Sequence, residues 1–265
     1  MNTSAILYAI AVLGGLGIGF GLLLTLADKV FAVPVDERVA RVREAVAGAN
    51  CGVCGYPGCD QFSEAVVRGE APVTGCTPGG GAAASALAEI MGLDGVEVEP
   101  MVARVRCQGG DGIAKDSYQY QGYKTCRHAM SLSGGPKLCP TACMGMGDCE
   151  RVCQFDAIRM VNGLCVIDPD KCTACGACVT ECPNNLIKLL PRAATVTVRC
   201  MNTQAPKPAN LSCDHACIGC KRCEKACEFD AIHVNNFLAE IDVTKCTLCE
   251  ACVAVCPKQS ITVSK

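Results

Sequence analysis

The chain has 265 residues, of which only 4% are aromatic and none is tryptophan, so bulky side chains do not supply its stability. Lys and Arg number 24 against 26 Asp and Glu, a balance that offers no basic footprint for nucleic acid and no polybasic patch for lipid headgroups. The outlier is cysteine, with 25 residues, a density that belongs either to a disulfide scaffold or to metal chemistry.

Between Ala5 and Ala27 there is no charged residue. At the helical rise of 1.5 Å this stretch spans roughly 34 Å, enough to cross a bilayer core of about 30 Å. A cleaved signal peptide fits less well, because Met1-Asn2-Thr3-Ser4 carries no Lys or Arg and the apolar run is long for such a leader. Residues 1–28 are therefore read as a single N-terminal transmembrane anchor. Lys29, Arg38, Arg41 and Arg43 follow the span and none precedes it. The positive-inside rule then puts the body on the cytoplasmic side of the cytoplasmic membrane. Gly15/Gly19 and Gly17/Gly21 form overlapping G-x-x-x-G pairs, a pattern that lets two membrane helices approach closely.

Residues 29–94 form the next unit. Val35, Val39, Val42 and Val46 fall at helical spacing behind Asp36 and Glu37, which predicts an amphipathic helix. Cys51, Cys54, Cys59 and Cys76 follow as C-x2-C-x4-C-x16-C. Gly and Pro around the first three allow a tight wrap, and residues 60–71 predict a short helix leading to Cys76. A second, Ala-rich helix is predicted over 79–92.

Residues 95–190 are read as an extension plus a first ferredoxin module, 191–212 as a linker, and 213–265 as a second module. Cys172, Cys175, Cys178 and Cys182-Pro183 make the run C-x2-C-x2-C-x3-C-P, and Cys246, Cys249, Cys252 and Cys256-Pro257 repeat it. In bacterial two-cluster ferredoxins the first three thiolates of this run hold one cubane and the fourth reaches the other. A shift of 74 residues superposes these runs without a gap. It also places Cys139, Cys143, Cys149 and Cys153 on Cys213, Cys217, Cys223 and Cys227. Met146 breaks the pattern where the second module has Cys220. Cys139 is the nearest replacement, reached by a detour through Met144-Gly145-Met146-Gly147-Asp148.

The expected sets in the first module are Cys139, Cys143, Cys149, Cys182 and Cys153, Cys172, Cys175, Cys178. Those in the second are Cys217, Cys220, Cys223, Cys256 and Cys227, Cys246, Cys249, Cys252. With the Cys51 set this makes five [4Fe-4S] clusters. Disulfides are disfavoured in a reducing compartment, and dense, repeated four-thiol sets exceed what tetrahedral zinc requires. Cys107, Cys126, Cys165, Cys200 and Cys213 remain and are read as small buried apolar residues rather than ligands of a sixth cluster. Two of them end similar strand-like runs, Ala103–Cys107 and Val196–Cys200, which suggests one shared sheet. His128, His215 and His233 have no site context. No nucleotide loop, flavin site or nucleophile with its base stands out, so chemistry rests with bound cofactors.

An apolar anchor, a C-x2-C-x4-C-x16-C domain and tandem ferredoxin modules with altered Cys139/Cys143/Cys149 spacing, in that order, resemble the B subunit of Rnf-type ion-translocating ferredoxin:NAD+ oxidoreductases. The stretch Cys51–Cys59 and the run Gly145-Met146-Gly147-Asp148-Cys149 carry the likeness most closely, whereas Cys153-Gln154 and Cys227-Glu228 depart from the usual Cys-Pro. The resemblance implies a membrane-anchored, mixed α+β electron-transfer subunit that takes electrons from soluble reduced ferredoxin. It would relay them to integral-membrane and NADH/flavin subunits that move Na+ or H+. A tethered polyferredoxin serving another reductase without ion pumping, and a zinc-bound interaction module, are the competing readings.

Overall fold

The computed structural model describes residues 3–31, 36–94 and 96–264. Helix α1 (Thr3–Phe31) is long and apolar enough to cross a membrane, its window Ile10–Ala27 having a mean hydropathy of 2.2 and no residue buried against the protein. Val35 lies outside the described residues.

The first domain is helical. Asp36 opens α2 (Glu37–Ala45) by accepting the Arg38 N–H at 2.9 Å, which satisfies one of the amides a helix start leaves free. Val42 and Val46 are buried, as their spacing predicts. Together with Phe62, Ala65 and Val66 of α3 (Cys59–Val67), and Ala83 and Leu87 of α4 (Gly80–Met91), they form a small core. Gly92 ends α4 in the left-handed conformation (φ +69°), a conformation that costs glycine little.

Each ferredoxin module is built from short antiparallel pairs. In the first, β1 (Met101–Val105) pairs with β4 (Ile187–Pro191), and β2 (Ile158–Val161) with β3 (Leu164–Ile167). Helices α5 (Cys126–Ser131), α6 (Asp148–Arg151) and α7 (Ala177–Glu181) complete it. The β2–β3 turn is Asn162-Gly163, both at positive φ, the two-residue arrangement whose twist suits a hairpin. In the second, β5 (Val196–Val198) pairs with β8 (Ile261–Val263) and β6 (Ile232–Asn235) with β7 (Leu238–Ile241). There the helices are α8 (Pro206–Ser212), α9 (Arg222–Ala226) and α10 (Ala251–Ala254).

Two expectations are corrected. The runs ending at Cys107 and Cys200 do not share a sheet, because each pairs with the last strand of its own module. The stretch 191–212 is not a plain linker. It holds β5 and α8, and β5 is needed to close the second module's outer sheet. Apolar residues from both sheets of a module meet its cysteines in one core. In the first, Ile158, Leu186 and Ile187 pack with Cys149, Cys165 and Cys178. In the second, Val196, Ile232 and Ile261 pack with Cys200 and Cys223.

Candidate iron–sulfur sites

In the helical domain, Cys51, Cys54, Cys59 and Cys76 are all half-buried. Cys59 begins α3 and its N–H donates to Asn50 Oδ1 at 2.8 Å, which holds the loop 50–59 against the helix start. Cys54, Cys59 and Cys76 pack on the domain core. Cys51 is an electrostatic neighbour of Cys175 in the first ferredoxin module, along with Cys153 and Cys172.

Those three, with Cys178, form the first module's expected inner set. Burial is the main reason the Cys178 thiol is pushed up to about 12, and the nearby Cys172, Cys175, Cys149 and Cys153 add to it. The Ala103 N–H from β1 donates to Cys172 Sγ at 3.4 Å.

The outer site of this module differs from expectation. Its cavity, of about 390 Å³, is lined by Cys126, Cys143, Cys149, Cys165 and Cys182. Cys126 is delivered by α5, whose first amides are caught by a buried carboxylate: Asp148 Oδ2 accepts from the Cys126 N–H at 2.8 Å and the Arg127 N–H at 3.3 Å. Asp148 itself starts α6, next to Cys149, and pairs with Arg151. One acidic residue thus ties the two helices that carry two of the thiols. Cys165, on β3, is buried beside Cys149, and the two sulfurs share a proton, so the Cys149 pKa is lowered and that of Cys165 is raised. Five sulfurs thus line the cavity, and two of them, Cys126 and Cys165, lie outside the spaced cysteine runs of the sequence.

Cys139 does not line this cavity. A turn closed by the Ala142 N–H on the Cys139 carbonyl at 3.1 Å reverses the chain between Cys139 and Cys143. Cys139 lines a separate cavity with Cys107, Cys200 and Cys213. Cys126 reaches this cavity from outside the spaced cysteine runs, so spacing alone does not single it out. The available signal was Met146, which requires a ligand from elsewhere, together with an unassigned cysteine preceded by a helix-capping Thr125.

In the second module the thiols gather in two groups. Cys217, Cys220, Cys223 and Cys256 line a cavity of about 340 Å³, and Cys227, Cys246, Cys249 and Cys252 one of about 350 Å³. Burial first, then Cys217, Cys220 and Cys256, push the Cys223 thiol up to about 11. The Ser260 N–H donates to Cys256 Sγ at 3.3 Å and the Ala231 N–H to Cys227 Sγ at 3.4 Å. His128 bonds Thr125, His215 bonds the Lys258 carbonyl, and His233 lies on the surface beside Glu224 and Asp230.

These donor sets fit iron–sulfur clusters. They are all-sulfur, a soft set suited to such clusters. Backbone amides point at the sulfurs, as hydrogen bonds that tune cluster potential do. Among the described residues, no three His, Cys, Asp or Glu side chains converge on a single ion. A lone zinc at about 2.3 Å from each sulfur would require that convergence.

Comparison with known proteins agrees with this geometry. Residues 47–78 match the Fe-S cluster family, 165–188 the 4Fe-4S binding domain and 216–261 the 4Fe-4S dicluster domain. The chain is 47% identical to the B subunit of the Na(+)-translocating ferredoxin:NAD(+) oxidoreductase complex of Acetobacterium woodii, over 97% of this chain and 78% of that one. It is 40% identical to the B subunit of the ion-translocating oxidoreductase complex of Methanosarcina acetivorans, over 98% of each. It is 38% identical to the B subunit of the proton-translocating ferredoxin:NAD(+) oxidoreductase complex of Clostridium ljungdahlii, over 98% of this chain and 93% of that one. With near-complete coverage at these identities, and with thiol sets placed where the cluster families match, the chain belongs to the family of B subunits of Rnf-type ion-translocating oxidoreductase complexes.

Proposed function

We propose that this chain is the iron–sulfur electron-transfer subunit of an ion-translocating ferredoxin:NAD+ oxidoreductase, held at the cytoplasmic membrane by α1 with its body in the cytoplasm. It takes electrons from soluble reduced ferredoxin and passes them to integral-membrane and NADH/flavin subunits of the same complex. When bound, each [4Fe-4S] cluster supplies reversible one-electron exchange. The chain's residues do the rest: they hold the sulfur sets in order and aim amides at the sulfurs.

The observation that carries this reading is the gathering of thiols into all-sulfur groups within the segments that match the cluster families. Cys51 of the helical domain neighbours Cys175 of the inner set, and Cys178 of that set neighbours Cys149 of the outer one. Five sets are held by Cys51, Cys54, Cys59, Cys76; by Cys153, Cys172, Cys175, Cys178; by Cys126, Cys143, Cys149, Cys182; and by the two sets of the second module. The order runs from the second module, which meets ferredoxin, to the Cys51 set, which follows the anchor in the chain. The test is Cys51→Ser in the assembled complex. Ferredoxin-dependent NAD+ reduction should stop while the C-terminal clusters are still reduced by ferredoxin, as read by EPR. Unchanged NAD+ reduction in that variant would defeat the ordering.

A further inference from the structure

The fourth cavity that carries four thiols lies between the two ferredoxin modules, and the five sets above do not use it. Cys107, Cys139, Cys200 and Cys213 line it, as four cysteines line each cavity of the second module. All four are buried, between 6% and 8% exposed. Cys139 is the common electrostatic neighbour of Cys107, Cys200 and Cys213. A Cβ built on Gly109 would lie 3.5 Å from Cys107 Sγ and 3.8 Å from Cys213 Sγ, so these two sulfurs, one from each side, reach the same point. We propose that Cys107, Cys139, Cys200 and Cys213 hold a sixth [4Fe-4S] cluster that joins the two modules.

Three further observations support a cofactor here over four idle thiols. The first is symmetry. Each module contributes the cysteine that follows its outer strand, Cys107 after β1 and Cys200 after β5. Each also contributes its leading cysteine, Cys139 and Cys213, which the 74-residue shift superposes. Chance burial of leftover thiols does not produce a matched pair from each half.

The second is the treatment of the sulfurs. Cys107 Sγ accepts the Gly109 N–H at 3.2 Å, and Cys200 Sγ accepts those of Asn202 at 3.4 Å and Cys217 at 3.3 Å. Cys172, Cys182, Cys227 and Cys256 receive the same kind of bond in the ferredoxin sets. A thiol acting as a small apolar residue needs no such donors, whereas cluster sulfurs are tuned by them. The third is charge. Arg199 lines the cavity and its guanidinium donates to the Cys107 carbonyl at 3.1 Å. A half-buried cation beside four thiols is compensated once they are deprotonated and carry an anionic cluster.

The position explains the need. The Cys143 amide faces the Cys107 sulfur, so the site borders the outer set of the first module. The Cys217 amide faces the Cys200 sulfur, so it equally borders the first set of the second. A cluster held by Cys107, Cys139, Cys200 and Cys213 would supply one-electron exchange between the first set of the second module and the outer set of the first. No proton or bond changes hands. This inference rests on the relay reading above and fills the gap that reading leaves between the modules.

The test uses the full chain, purified anaerobically, with iron, acid-labile sulfide and zinc measured per polypeptide. Six clusters predict about 24 iron and as many sulfides. Cys107→Ser with Cys200→Ser should lower both by about four and remove one EPR component, leaving the Cys126→Ser loss additive to it. A wild-type content of about 20 iron overturns the sixth cluster and leaves the five-set relay standing. A content near zero defeats the relay reading itself. About 20 iron with one zinc places a structural metal here and likewise overturns the proposal. The wild-type count decides the matter even if the double variant fails to fold.

Discussion

Asp148→Ala is the most informative single change outside the cysteines. The side chain is 5% exposed and accepts two amides from the first turn of α5. Hydrogen bonds to a charged acceptor contribute about 1.5–3 kcal/mol each, and the pair with Arg151, whose side chain is half exposed, adds less than about 1 kcal/mol. Removing the carboxylate should therefore cost about 3–6 kcal/mol locally, a large part of the marginal stability of a small domain. Because α5 has six residues and too few turns to persist alone, the loss falls on the position of Cys126. Iron in the anaerobically purified chain should drop by about four per polypeptide, as it should for Cys126→Ser. Asp148→Asn keeps one acceptor oxygen and should lose about half as much stability. The assay is iron content together with the denaturant midpoint for all three variants. Full iron and an unshifted midpoint in Asp148→Ala would refute the assignment of Cys126 as a ligand held by this carboxylate.

Other changes separate ligands from their neighbours. Cys165→Ala should keep the full iron content but lower the potential of the Cys126/Cys143/Cys149/Cys182 site, because it removes a hydrogen bond that favours the more negative, reduced form. A loss of four iron would instead make Cys165 a ligand. Leu87→Ala, in the core of the helical domain, should cost about 2–5 kcal/mol and abolish the Cys51-set EPR signal, with the ferredoxin modules spectrally intact; retention of that signal after warming would argue against a cooperative helical domain. Gly145→Ala places a Cβ 2.7 Å from the Gly163 carbonyl oxygen at φ +72°, so it should destabilise the first module by about 1–3 kcal/mol, read as faster cluster loss in chelator; equal loss rates would contradict the close packing of the two loops. Chelation of all iron should unfold both modules by circular dichroism, since their cores are built around the thiols.

What was legible in the sequence follows from locality. The second module's sets sit within short loops at fixed spacing, and the structure brings each of them together in one cavity. The helices of the four-Cys domain followed from valine spacing and from an N-cap aspartate. Spacing could not reveal Cys126, because the residue that positions it, Asp148, lies 22 positions away and acts through backbone amides. Proximity in the chain also does not reveal that Cys139 and Cys143, joined by a turn, line different cavities. Cys107 and Cys200 looked alike as strand ends, and the likeness was real. The pairing of β1 with β4 and β5 with β8 puts the two runs in separate sheets, and both cysteines line one cavity between the modules.

The central claim is that the chain is a continuous one-electron conductor. A stepwise anaerobic reductive titration of the isolated full-length protein, followed by EPR, measures this directly. The five-set relay predicts uptake of about five electrons per polypeptide, one for each cluster, and the bridging cluster a sixth, with magnetic coupling between successive centres. A colourless protein that accepts none, or one whose metal is zinc, would contradict it.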